Sequence, residues 1–204
     1  SGSAVVGRES RSGSAVVDHR ALLQGYLRAL RAHAIEPRSG LLYQRVNAQT
    51  GIAEDEPRAS GTALSVYALS FLDRGIAQEL FSALRRSQPA DLWGFGGLRE
   101  YPPALEVGGK PGRRAHQRLG DIDSGPLLLG ISPAATGFAL AGARLFGQRE
   151  LFTSLYRTAE LFGAPVTDDL GRRFLSGGPL GNALLLAMLT ATWERGANEE
   201  RARP

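Results

Sequence analysis

The 204 residues carry 43% hydrophobic and 22% charged side chains, an ordinary globular balance that excludes a wholly disordered chain and allows one buried core. There are no cysteines, which removes disulfides, thiolate metal sites and cysteine nucleophiles and leaves the redox compartment open. The formal charge of +4 rests on scattered arginines, Lys110 being the only lysine. Without a basic stripe interleaved with aromatics, no nucleic-acid partner is expected.

Ser-Gly-Ser-Ala-Val-Val occurs at 1–6 and again at 12–17, so 1–17 reads as a flexible lead-in or cloning remnant outside the folded domain, with no visible signal peptide. The domain proper is expected over 18–195. A first helix is predicted over 18–33, with Leu22, Leu23, Tyr26, Leu27 and Leu30 at helical spacing. A β-like run at 41–46 leads to a turn at 47–51. The next helix is predicted from Ser60, read as its cap, to Leu72; Asp73 caps a partner carrying Ile76, Leu80, Phe81 and Leu84. A long irregular stretch rich in Gly, Pro and Arg then occupies 91–131. Ser132-Pro133 opens a helix to about 146, a further helix runs over 148–162 and is closed by Gly163, and a last one covers 179–195. Residues 196–204 read as a disordered tail.

The uncharged run 124–143 has the length of a membrane span, but Gly125, Pro126, Gly130, Pro133 and Gly137 break it, so no membrane span is expected. An internal repeat appears at an offset of 71 residues: Ala63, Ala68 and Leu69 match Ala134, Ala139 and Leu140, and Glu79-Leu80-Phe81 matches Glu150-Leu151-Phe152. Each unit pairs a small-residue helix with a leucine-rich amphipathic one. Short and long connections alternate, which gathers the long loops at one end. The predicted class is therefore all-α, an arc of an α/α toroid with short β-hairpins in its long loops. Six predicted helices fall short of a closed ring of six pairs, which needs roughly 300 residues. The arc would then be completed by a second copy or by a missing complementary segment.

Candidate chemistry gathers in the long loops. Asp121 and Asp123 stand two residues apart, and close carboxylates push their pKa values apart into an acid and a base. Glu100 is a third candidate. The same aspartates precede Ser-Gly-Pro, where such residues also cap backbone amides, and Glu100 can equally pair with Arg99 or Arg58. Arg58 can bind a substrate anion or brace the carboxylates. Trp93 and Tyr101 can stack on a ligand or form a small core under the loop; Tyr43, Arg45 and His116 are placed with them as substrate-binding candidates. His19, His33 and His116 are too scattered for a transition-metal site, and the acidic pair lacks a calcium-loop pattern. Gly130-Ile131-Ser132-Pro133 fails as a nucleophile elbow, and the glycines at 94–97 form neither a phosphate loop nor a dinucleotide fingerprint, so neither metal nor other cofactor is expected.

The run Arg58-Ala59-Ser60-Gly61-Thr62-Ala63, the segment Leu98-Arg99-Glu100-Tyr101-Pro102 and the run Asp121-Ile122-Asp123-Ser124-Gly125-Pro126 together resemble bacterial α/α-toroid proteins. That grouping includes glycan-processing toroids and linalool dehydratase/isomerase, and the resemblance spans about 41–189. It implies acid and base roles for Asp121, Asp123 or Glu100. The absence of cysteine departs from the site credited to linalool dehydratase/isomerase. The expectation is a carboxylate acid–base enzyme acting on a carbohydrate or other small molecule. A terpenoid or alcohol dehydratase or isomerase of the same fold, and a non-catalytic helical-repeat scaffold, are the alternatives.

Overall fold

The computed structural model describes residues 18–87, 89–102, 127, 130–169 and 171–193. The expectations for 1–17 and 196–204 lie outside these residues. In chain order the elements are α1 (His19–Ala29), α2 (Ala59–Ser70), α3 (Arg74–Ser87), β1 (Pro89–Leu92), β2 (Phe95–Leu98), α4 (Pro133–Leu145), α5 (Arg149–Gly163), β3 (Pro165–Asp168), β4 (Gly171–Phe174) and α6 (Gly178–Thr190). A π-helical turn, Leu30–Ala34, extends α1.

This corrects the all-α toroid arc. Among the described residues six α-helices stand with four short strands, paired antiparallel as β1–β2 and β3–β4 in two separate sheets, so the chain is mixed α/β. The physical reason lies at 89–98. Trp93 and Gly94 both take left-handed φ angles, 52° and 83°, which folds that segment into a tight hairpin with Pro89 opposite Leu98. A looser hairpin without a ladder occupies 42–57, where bridges join Tyr43 to Pro57 and Val46 to Ala53.

Asp18 caps α1 through Arg20 N and Ala21 N. Two expected caps hold: Asp73 Oδ1 accepts from Ile76 N, and Ser132 Oγ caps α4 by accepting from Ala135 N. Two do not. Ser60 lies inside the first turn of α2, whose N-cap is Arg58. Gly163 does not end α5 by its own backbone; Ala164 takes the left-handed turn at φ 50°. Gly163 is needed because Phe174 packs on it, and a Cβ there would lie 2.4 Å from the Phe174 ring.

α2 and α4 pack side by side, α3 lies on α2, and α5 and α6 lie on α4. Small residues make this close approach: Ala59, Ala63 and Val66 of α2 and Ala135, Ala139, Ala141 and Gly142 of α4 are all buried. The amphipathic α3 closes over them with Ile76, Ala77, Leu80, Phe81 and Leu84, each 3% exposed or less. A Cβ on Gly142 would meet the Phe81 ring at 2.5 Å, so the glycine sets the distance between α4 and α3. After α6 the chain turns onto the far end of α4: Trp193 Nε1 donates to Leu145 O at 2.8 Å and Arg144 Nε to Ala191 O at 3.0 Å.

A hydrogen-bond pattern repeats three times. One or two residues beyond each amphipathic helix, Ile35, Pro89 and Pro165 pair with the residue that ends a short hairpin (Leu42, Leu98, Phe174), which in the first unit is 35–42, ahead of the 42–57 loop. The N–H of that last residue donates to a side chain in the first turns of the following helix: Leu42 to Thr62 Oγ1 at 2.9 Å, Leu98 to Thr136 Oγ1 at 3.1 Å, Phe174 to Asn182 Oδ1 at 2.7 Å. Its carbonyl accepts in turn from Arg58 N at 3.0 Å, Ser132 N at 2.9 Å and Asn182 Nδ2 at 2.7 Å. Thr62 and Thr136 are thus structural equivalents, and the repeat register differs by about one helical turn from the 71-residue sequence match. One turn preserves the phase of the apolar stripe, which is why the sequence match survived the slip.

Thr62 is fully buried and also donates to Arg58 O at 2.6 Å. Thr62→Val leaves the Leu42 N–H buried without an acceptor, so it is expected to cost about 1–3 kcal/mol, with Thr62→Ser recovering most of the loss. Urea unfolding of the three proteins measures this.

Candidate functional site

Residues 98–102 run between the starts of α4 and α2. Leu98 is anchored to α4 as described, and Arg99 bridges to Ile131. Glu100 N donates to Gly130 O at 3.1 Å, while Glu100 O accepts from Ala59 N, the first residue of α2, at 2.8 Å. The main chain therefore holds Glu100 from both sides. Its side chain is 0% exposed. Ser60 Oγ donates to Glu100 Oε1 at 2.5 Å, and Oε2 is buried with no hydrogen-bonding partner among the described residues. A buried carboxylate oxygen left unpaired is costly and uncommon, which singles this one out.

Arg58 and Tyr101 flank the pair. The Arg58 side chain is 12% exposed, its Nη2 lies 3.2 Å from Asp55 Oδ2, and its guanidinium stands 5.7 Å from the centre of the Tyr101 ring. Three sequence candidates, Arg58, Glu100 and Tyr101, are thus brought together at the start of α2. Sequence reasoning missed two members. Ser60 was read as a helix cap, and Asp55 drew no attention. The run Ser60-Gly61-Thr62 is the available signal, since two hydroxyls within one turn cannot both cap the same helix end.

The other candidates stand apart from this group or outside the described residues. Trp93 is the left-handed corner of the β1–β2 hairpin and is 91% exposed. Arg45 pairs with Glu54 across the 42–57 loop at 3.2 Å, an exposed ion pair of small energetic weight. Tyr43 sits beside the turn at Glu36; burial, and then the Glu36 charge, push its hydroxyl above the usual tyrosine value. Asp121, Asp123 and His116 lie outside the described residues. Among the described residues no three His, Asp or Glu side chains gather as a metal site would require. No helix among them is long and apolar enough to cross a membrane.

No protein-family model matches the chain, and no curated protein matches it.

The Glu36 turn shows what a satisfied carboxylate looks like in this fold. Its oxygens accept from Arg38 N at 3.1 Å, and from Ser39 N and Ser39 Oγ at 2.6 Å each. Burial works to raise its pKa, but the Ser39 hydroxyl, the two amides and the Arg38 charge outweigh it and hold the carboxyl below its ordinary value. A lowered folded-state pKa contributes stability above the unfolded value that is lost as pH falls through the folded one. Glu36→Gln is therefore expected to lower stability most at neutral pH, with the gap from the parent closing on acidification to about pH 3. Urea midpoints at the two pH values report it; a gap independent of pH contradicts the assignment.

Proposed function

We propose that this chain is a carboxylate acid–base enzyme whose working group is Glu100 and whose substrate is a hydroxyl-rich small molecule, a carbohydrate in the first instance. One observation carries the reading: a fully buried glutamate with one oxygen held by Ser60 and the other left without a partner. Folded chains satisfy buried carboxylates, as Glu36 is satisfied here. One kept half-satisfied has spare hydrogen-bonding capacity for a ligand or a transferred proton. Ser60 fixes the carboxyl's rotation, leaving Oε2 as the oxygen that gives or takes the proton. Arg58, held by Asp55 and Tyr101, supplies a positive charge beside it, and Tyr101 supplies a ring face of the kind that sugar rings stack on.

Hydrolysis of a glycosidic bond ordinarily uses two carboxyl groups. Glu100 is one; Asp121 and Asp123, later in the same long connection, are the candidates for the other. His116, in that connection too, is a substrate-binding candidate. This division of labour needs neither metal nor organic cofactor.

The test is product release from a panel of soluble α- and β-linked glycans, followed as new reducing ends or as absorbance of an unsaturated product. Glu100→Gln keeps an oxygen for Ser60 and removes the proton-transfer group, so turnover is expected to fall by about 10²–10⁴-fold with the melting temperature held. Asp121→Asn and Asp123→Asn, made singly, identify the second group by an equal loss. Full turnover in Glu100→Gln, or a collapse of its thermal stability, sinks the proposal.

A further inference from the structure

Two helices of the repeat start from the same junction and finish it differently. Counted from the equivalent threonines, Arg58-Ala59-Ser60-Gly61-Thr62 of α2 stands where Ser132-Pro133-Ala134-Ala135-Thr136 stands in α4. The first turn of any helix leaves N–H groups without an acceptor inside the helix. In α4 Pro133 has no N–H to satisfy, and Ser132 Oγ accepts from Ala135 N at 3.1 Å. In α2 the N-cap is Arg58, whose side chain makes no cap bond, and Ser60 N and Gly61 N have no acceptor among the described residues.

A hydroxyl and an acid stand at those open donors. Glu100, 0% exposed, is aimed into this turn: Ser60 Oγ donates to its Oε1 at 2.5 Å, and its Oε2 has no partner among the described residues. That length is the one expected of a hydroxyl donating to an ionised carboxylate. The next residue is a glycine, which weakens a helix relative to alanine. No packing demands it. The nearest atom to a Cβ built on Gly61 is the Gln44 amide oxygen at 2.9 Å, the end of an exposed and flexible side chain. The missing Cβ leaves bare, half-buried backbone beside the serine, where α4 has the buried Ala135.

We propose that Ser60 is the nucleophile of an acyl-transfer site that cleaves carboxylic esters of small acyl groups, with Glu100 as its base and the Ser60 and Gly61 N–H groups as oxyanion donors. Ser60 Oγ attacks the ester carbonyl carbon while its proton passes to Glu100 Oε1. The carbonyl oxygen takes up the negative charge against the two N–H groups, at the positive end of α2. Collapse breaks the bond to the alcohol oxygen, which leaves with the proton from Glu100, and Ser60 keeps the acyl group. Water then attacks the acyl carbon and gives a proton to Glu100. The carboxylic acid departs as that proton returns to Ser60 Oγ. Ser60 is only 7% exposed, so a small acyl group is the class that reaches it. This activity goes beyond glycosidic cleavage but rests on the same Glu100 carboxyl, so the test separates the two.

Phenylmethanesulfonyl fluoride, a small electrophile that sulfonylates activated serines, tests it on the unaltered chain. Peptide mass spectrometry is expected to find the adduct on Ser60, and hydrolysis of p-nitrophenyl acetate is expected to stop as the adduct forms. Ser60→Ala is expected to lose both. Glu100→Gln keeps the hydroxyl and is expected to slow sulfonylation and acetate hydrolysis about 10²–10⁴-fold with unchanged circular dichroism. Gly61→Ala is expected to raise the melting temperature while lowering acetate hydrolysis. A folded parent that takes up no sulfonyl group at Ser60, or a Glu100→Gln protein labelled as fast as the parent, overturns the proposal. Glycan turnover that is lost in Glu100→Gln while the parent's Ser60 stays unlabelled rejects this activity and leaves the glycosidic one standing. Labelling of Ser60 in a chain that releases no glycan product supports this activity alone.

Discussion

Three main-chain N–H groups, those of Leu42, Leu98 and Phe174, have to find acceptors where a hairpin meets the first turns of a helix. Water does not reach Leu42 or Leu98 freely, since both are under 9% exposed, so the helix itself supplies the acceptor. Thr62 and Thr136 do so with a hydroxyl and leave the hairpin carbonyl to the N–H of the residue before the helix. Asn182 does both jobs with one amide. The substitution has a local reason: the residue preceding α6 is Gly177 at φ 85°, a left-handed backbone unlike the extended Arg58 and Ser132. An amide, with its acceptor and donors side by side, covers what the backbone no longer offers.

This junction decides where the candidate site lies. Because Leu98 is pinned to α4, the next two residues must cross toward α2, and the bond from Ala59 N to Glu100 O completes the crossing. The glutamate side chain is thereby driven into the seam between two helices whose small residues bring them close. Its burial is particular to this junction, and its unpaired oxygen is a further departure: a glutamine or methionine would fill the seam without leaving a carboxylate oxygen bare. The fold tolerates that oxygen at a cost to stability, and such costs concentrate where a chain does chemistry.

Much of this was legible before any coordinates. The starts of α3 and α4 follow from Asp73 and Ser132-Pro133, whose capping geometry is local and needs no tertiary knowledge. Arg58, Glu100 and Tyr101 were singled out by residue type and fell together. Short hairpins in the long connections were expected, but not the exact strands: the β1–β2 turn relies on a tryptophan at positive φ, which no turn rule anticipates. The all-α class fails because those hairpins form two regular two-stranded sheets beside the helices. The remaining gap is non-local. Ser60 was assigned to its own helix end because its actual partner lies 40 residues away.

Comparing the three junctions isolates what is particular to Glu100. The residue two beyond the hairpin's end is Gln44 in the first unit, Glu100 in the second and Ser176 in the third. All three are polar and donate their N–H to a neighbouring carbonyl: Glu56 O, Gly130 O and Gly163 O respectively. Gln44 and Ser176 are exposed, so any polar residue would serve there. The middle residue is bonded to the chain just before α4 and to the first residue of α2, and it is the one that carries an acid. A purely structural demand would be met by glutamine or serine, as it is in the flanking units. The carboxyl at the central seam is therefore a departure from the repeat's own solution, at the place where two helix starts converge and where a ligand held by one group can be reached by the other.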